Sequence, residues 1–437
     1  MLEFASFSAW LPGAGVVLDD IELSCQPGEI WAVAGRTGAG ASMLLRAAAG
    51  QLPRIAQISG RNRATRRVLF LGQLPPMNVA EYLRGFVDDV RGAADDLGLT
   101  SHLQHRIGTL PPDLRVPLHL AALRHAPAAD LILLDAQLTA ATPQTRREVA
   151  LEARRRADDG AAVLWADHDL DTLWDAATHV VELERGRAVR RGPADEWQPL
   201  TLPPPTPLLL ERLRPLPTGN RARPTAAPPA ATSTVIDPAD VGLTGRGLEV
   251  GANESLGLLD LSGRPEPLAR RITDHLGGVV LGSHLAPEDT PLAATRRWCR
   301  EAGAPQGAID LTGLRPRRPF AEHSDGDAAR LRARLSVPVT RPLWYPHPQA
   351  GLDARDRHAL AHQLAGANAG PRIITTRDVE FLVRACRRIT VVDDGQVIAT
   401  GSPHAIARYL PELPLVAQAT GSSRYLRLTD LPFEEGP

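Results

Sequence analysis

Residues Gly28 to Gly50 read GEIWAVAGRTGAGASMLLRAAAG: a short apolar run, a glycine-rich turn and a helical stretch. Gly35, Gly38 and Gly40 stand where backbone must run without a Cβ, so that successive N–H groups can turn toward an anion at the start of the helix. The chemistry of such a loop is phosphate binding. Its full pattern, G-x-x-x-x-G-K-[ST], asks for lysine where Ala41 stands, whereas Ser42 keeps the hydroxyl that would ligate Mg2+. The cradle of Gly35, Arg36, Thr37, Gly38, Ala39, Gly40, Ala41 and Ser42 is thus kept without its ammonium, which removes the nearest fixed cation from the β and γ phosphates. Arg36 either reaches a phosphate or faces solvent. For the loop alone, a glycine-rich strand-to-helix turn with no ligand is the competing reading.

Such a loop needs a strand before it and a helix after it. From Met1 to about Leu200 short apolar runs alternate with helical stretches, the pattern of an α/β domain on a parallel sheet, and strands are predicted over 30–34, 68–71, 131–134 and 162–165. A stretch rich in Pro, Ala and Thr follows, which can neither ladder nor bury much, and 216–234 reads as an extended linker. The alternating pattern resumes near Val241. HVVELERGRAVRRGP, beginning at His179, is echoed by RITVVDDGQVIATGSP, beginning at Arg388, and the same offset of 209 residues carries His168 onto Arg377. The expected layout is a first domain over 1–215, a linker over 216–240, a duplicated domain over 241–412 and a tail over 413–437, loosely ordered from Ser422 onward.

The 437 residues suit two domains, and 43% hydrophobic with 23% charged residues is the balance of a chain that buries a core. A net charge of −1 gives no global field to attract nucleic acid or an anionic membrane. No apolar run is long enough to span a bilayer and the start lacks the features of a signal peptide, so a cytoplasmic location is expected. Cys25, Cys299 and Cys386 lie far apart and read as reduced, buried residues. All 49 basic residues are arginine. A GC-rich genome accounts for that; so would selection against a modifiable amine.

Together these motifs resemble the nucleotide-binding domain of ATP-binding-cassette (ABC) proteins, clearly over Leu2 to about Leu213 and more faintly over Val241 to about Leu410. The tandem ATPases of energy-coupling-factor importers are similar in having a Pro-rich stretch after the first cassette. The resemblance implies two tandem P-loop α/β domains, each a mainly parallel sheet with a small helical subdomain. It implies that Gln73, in LGQLPP, would bridge Mg2+ and a membrane partner, that Asp135, in DLILLDAQLTAAT, would orient the metal with Ser42 and Gln73, and that His168 is the switch histidine. Departures from the family pattern are as informative. Ala136 stands for the catalytic Glu and Thr142 for the D-loop Asp, and Pro111, Pro112 and Asp113 interrupt the signature. In the second half Gly263 is kept, Glu266 takes the lysine position, Pro346 and His347 replace the Walker B acids, and Arg377 replaces the switch histidine. Ser324 and Gly326 of a signature and Asp353 of a D-loop are retained there.

In this family the P-loop of one half faces the signature of the other. The retained residues, Gly35 to Ser42, Gln73, Asp135 and His168 with Ser324, Gly326 and Asp353, would then share one composite site, and the losses the other. The resemblance implies weak binding of ATP with Mg2+ at that first site only, vestigial catalytic roles for His168 and Asp353, and little or no hydrolysis. Its implied partner is a transmembrane transporter subunit that holds the chain at the inner face of the membrane without insertion, the two halves pairing within one chain. A nucleotide-free scaffold is the alternative. An active ATPase would need Arg36 for the lysine and His347 as base. A nucleic-acid role would need charged or zinc-bearing insertions that the sequence lacks.

Overall fold

The computed structural model divides into two compact units, Met1–Pro205 and Thr206–Pro437. It describes residues 1–12, 15–72, 74–135, 138, 141–168, 170–196, 233–262, 265–282, 285–286, 288–320, 323, 325–366 and 369–431.

The first unit contains β1 (Leu2–Leu11), β2 (Gly15–Cys25), β3 (Ile30–Gly35), β4 (Gln57–Ala64), β5 (Val68–Leu71), β6 (Leu131–Asp135), β7 (Ala162–Ala166), β8 (His179–Glu184) and β9 (Arg187–Pro193). One sheet runs β5-β6-β7-β3-β8-β9, parallel except for the β8–β9 hairpin. All four strands expected from the sequence lie in it. They read as continuous apolar runs because both faces of the sheet are covered. Ile30, Ala32 and Ala34 enter one core with Ile132, Leu134, Val163 and Trp165, while Trp31 and Val33 enter another with Leu133, Leu164, Phe4 and Leu44.

The second sheet, antiparallel in the order β2-β1-β4, is absent from the sequence reading. β1 buries Leu2 and Phe4, then Phe7 and Ala9, because a bulge at Ser6, whose φ is 45°, shifts the alternation by one residue. β4 buries nothing, so no apolar period marks it.

Helix Val116–His125 is buried over its first eight residues, and His119 lies among them. Burial, aided by the Arg115 charge, lowers the His119 imidazole from 6.5 to about 4. The unfolded chain therefore takes up this proton first as pH falls, and the neutral form favours folding above pH 6.5. We expect that contribution, roughly 3 kcal/mol, to be lost between pH 6.5 and 4. Urea midpoints measured across this interval should fall for the parent chain and fall distinctly less for His119→Leu; parallel profiles would refute the assignment.

The second unit contains β10 (Ser233–Ile236), β11 (Thr244–Gly245), β12 (Leu248–Gly251), β13 (Ser255–Asp260), β14 (Val279–Val280), β15 (Leu343–Pro346), β16 (Arg372–Thr375), β17 (Arg388–Asp393) and β18 (Gln396–Gly401). Its main sheet runs β14-β15-β16-β13-β17-β18-β11, which repeats the order of the first unit and adds β11 at the edge. The sequence repeat is thus a repeat of topology.

Two boundaries differ from expectation. β10 pairs with β12, so the end of the expected linker is ordered against the second unit. The tail is docked rather than loose as far as Leu431. Leu426 is fully buried, Arg427 Nε donates to the Val383 carbonyl at 2.7 Å, and His404 Nε2 meets Asp430 Oδ2 at 2.9 Å. Its apolar anchors, Val416, Ala417, Leu426 and Leu431, are spaced too widely to show a period.

Cys25, Cys299 and Cys386 are buried and unpaired, as expected, and burial pushes the Cys25 thiol up to about 12. Among the described residues no helix is long and apolar enough to cross a membrane.

Candidate functional site

In the first unit β3, β6 and β7 run parallel, so their C-terminal ends share one edge of the sheet. Gly35 ends β3, Asp135 ends β6 opposite Ala166, and His168 follows β7 by two residues. Parallel pairing therefore brings the loop, Asp135 and His168, far apart in sequence, to the edge where open α/β sheets bind ligands.

The loop between β3 and helix Ala41–Ala48 is braced from behind. Ala39 N–H donates to the Arg36 carbonyl at 2.8 Å, and Gly186 N–H, in the β8–β9 turn, donates to the Ala39 carbonyl at 2.8 Å. A Cβ at Gly35 would lie 2.9 Å from both the Ala39 Cβ and the Leu183 carbonyl. Gly40, with φ 109°, leaves 3.0 Å to the Val17 carbonyl. The helix start has no side-chain cap and no acid in its first turn. Among the described residues the N–H groups of Gly38, Gly40, Ala41 and Ser42 donate to no backbone carbonyl, and the Ser42 and Arg36 side chains are exposed. Open N–H groups at a helix N-terminus, with glycine at each crowded position, fit a phosphate.

Two contributors escape the sequence reading. Asp167, just after β7, is buried, and its Oδ2 accepts the Leu138 N–H at 3.0 Å, which ties the chain beyond Asp135 to the chain beyond β7. Its only signal is an acid ahead of His168. Trp10, at the hairpin end of β1, is 38% exposed and pairs with Val16, whose neighbour Val17 turns its carbonyl to Gly40. An exposed indole on the strand pair that backs this loop is able to stack a planar base. Thr142, in place of the D-loop acid, caps helix Pro143–Asp158 through Thr145 N–H. Gln73, Ala136, Gly263 and Ser324 lie outside the described residues.

The corresponding place in the second unit has a different chemistry. Helix Pro265–His275 begins Pro-Glu-Pro, so positions 265 and 267 have no N–H to offer, and the Glu266 carboxylate stands between them. Glu266 Oε1 lies 3.2 Å from His347 Nε2, and the His347 side chain is buried just past β15, with φ 45°. His347 as a water-activating base is disfavoured, since Nε2 already faces Glu266 away from solvent. Asp353, expected in a vestigial catalytic role, is buried and caps helix Ala354–Ala365 by accepting Asp356 N–H at 2.9 Å. Gly326 is buried in helix Asp325–Ser336, and Arg377 follows β16 where His168 follows β7.

No protein-family model matches the chain. Over 209 residues, 40% of this chain and 80% of the relative, it is 32% identical to a hemin import ATP-binding protein of Pseudomonas entomophila. Over 171 residues, 36% of this chain and 56% of the relative, it is 31% identical to a Nod factor export ATP-binding protein of Burkholderia orbicola. Among solved structures, a chain of the ribosome-bound complex of archaeal Pelota and ABCE1 matches 92% of this chain and 80% of its own length, with TM-score 0.61 and 15% identity. The archaeal ribosome recycling factor bound to a stalk protein matches 92% of both chains, with TM-score 0.55 and 16% identity. At these identities the structural likeness shows the tandem fold alone.

Proposed function

Because the chain belongs to the ATP-binding-cassette ATPase family, we propose that it is a catalytically deficient tandem cassette whose first half binds Mg·ATP and which serves as the ATP-binding and coupling subunit of a membrane transporter. One observation carries this reading. The first half presents open N–H groups at Gly38, Gly40, Ala41 and Ser42, whereas the matching helix of the second half begins with two prolines around a carboxylate.

In the first half the loop amides would bind phosphate, the Ser42 hydroxyl and Asp135 with Gln73 would hold the metal, and Trp10 would offer a face for the base. When bound, Mg2+ would neutralise phosphate charge that Ala41 leaves unopposed. Ala41 and Ala136, in the places of the lysine and of the water-polarising acid, set turnover at or near background. The relatives are named as import and export ATP-binding proteins, which supports a separate transmembrane partner.

Calorimetric titration with Mg·ATP, with phosphate release followed on the same sample, tests this. We expect saturable binding at one site per chain without turnover, weakened about tenfold or more in Ser42→Ala/Asp135→Ala, where two of the three metal-orienting groups are gone. Steady phosphate release from rigorously purified protein would overturn the deficiency. No binding at millimolar ATP would favour a nucleotide-free scaffold.

A further inference from the structure

We propose that the outer edge of β4 is a docking site for an acidic, extended segment of a partner protein, which adds as a strand beside Gln57–Ala64. β4 is the edge of its sheet, paired to β1 on one side, and all eight of its residues are exposed. Among the described residues its other side makes no backbone hydrogen bond. A free ladder edge of this length is a template for another strand unless charge or cover blocks it.

The charge on this edge selects the strand. Residues 51–67 carry Arg54, Arg61, Arg63, Arg66 and Arg67 and no acid. Arg67 pairs with Asp130, whereas among the described residues Arg54, Arg61, Arg63 and Arg66 form no ion pair, Glu3 standing opposite Arg63 in the β1–β4 register, and all four are exposed. A second copy of the same edge would set arginine against arginine, which cross-strand pairs disfavour. An acidic strand meets the opposite condition.

Apolar footing lies beside the charges. Ile55 and Ile58 are 65% and 64% exposed. A cavity of about 660 Å3 lined by Phe7, Leu52, Ile58, Arg61 and Arg63 adjoins another of about 410 Å3 that includes Arg66 and Phe70, the two sharing Gly50 and Asn62. An added strand would gain affinity from main-chain hydrogen bonds and specificity from its side chains, aliphatic against Ile58 and acidic against the guanidinium groups. Nucleic acid fits less well, because Phe7 is buried and Phe70 half-buried, so neither lining ring is exposed to stack a base, and the backbone edge would go unused.

The probe is a labelled ten-residue peptide of alternating Glu and Val, followed by fluorescence anisotropy against the full chain. A Lys/Val counterpart and a Glu/Val version N-methylated along one edge serve as comparisons. We expect saturable one-to-one binding of the Glu/Val peptide that weakens with salt, a loss of about tenfold or more in Arg61→Glu/Arg63→Glu, and a switch of that variant to the Lys/Val peptide. The N-methylated peptide should bind far more weakly. Both substitutions lie at exposed positions, and an unchanged circular dichroism melt will show that the variant folds. Absence of saturable binding overturns the proposal. So does equal binding of the N-methylated peptide, which would mean diffuse charge attraction, or an arginine-dependent preference for duplex DNA or phosphatidylserine vesicles over the peptide.

Discussion

An Ala41→Lys chain should bind Mg·ATP about 10- to 100-fold more tightly than the parent, while Glu266→Lys should gain nothing. Ala41 is the first residue of its helix, behind an uncapped Gly40, so an ammonium there joins the open N–H groups of the glycine-rich loop. At an effective dielectric constant of about 20, one such charge 4 Å from a phosphate is worth about 4 kcal/mol before desolvation, and a net gain of about 1.4 to 2.8 kcal/mol is what the fold-change represents. Glu266 holds the same place in the second unit, but Pro265 and Pro267 leave its helix start without the amides that a lysine would assist. Turnover should stay near background in both variants, since Ala136 still stands where the family keeps its catalytic acid. Isothermal titration of the three proteins decides the matter. Equal gains in both variants, or none in Ala41→Lys, would mean that the two helix starts do not differ in the way described.

Arg372→Leu should lower the stability of the second unit by about 3 to 5 kcal/mol. The side chain is fully buried at the start of β16. Nη1 donates to the carbonyls of Gly370 at 2.9 Å and Pro371 at 3.2 Å, and Nη2 to those of Ser336 at 3.0 Å and Val339 at 2.6 Å. One planar fork thus ties the end of helix Asp325–Ser336 and the turn after it to the strand. Leucine leaves these carbonyls buried without a donor, and lysine, a single point of charge, cannot span both groups, so Arg372→Lys should lose about 2 kcal/mol or more. Burial lowers the guanidinium to about 10, so the group stays charged in both states well below that value, and the deficit in Arg372→Leu should be flat from pH 5 to 9. Urea unfolding, with amide hydrogen exchange to locate the loss in the second unit, is the measurement. A change below about 1 kcal/mol would show that water satisfies the carbonyls instead.

Arg372, and Arg156 with its bonds to the Leu123 and Ala126 carbonyls, explain two arginines by geometry. Nothing in the structure explains why the exposed arginines are never lysine.

The sequence by itself determined the parallel core and the glycine-rich turn that leads from β3 into its helix. Ile30–Gly35, Leu131–Asp135 and Ala162–Ala166 are buried on both faces, and that burial is written locally as unbroken apolar runs. Glycine at 38 and 40 is likewise a local requirement, of a positive φ, whereas Gly35 needs the space that the Leu183 carbonyl closes from the next strand. The duplication was legible because the hairpins at Gly186 and Gly395 keep their turn residues at a constant offset. Only the tertiary structure decided that Glu266 meets a histidine 81 residues away, that Asp167 holds Leu138, that Asp353 caps a helix and that the tail packs on the second unit. It also decided that an antiparallel sheet ends in the bare edge of β4. Periodicity reports what one segment buries. Which segments meet is set by the order of strands in the sheet, and a bulge such as that at Ser6, or a strand with nothing buried, leaves no period to read.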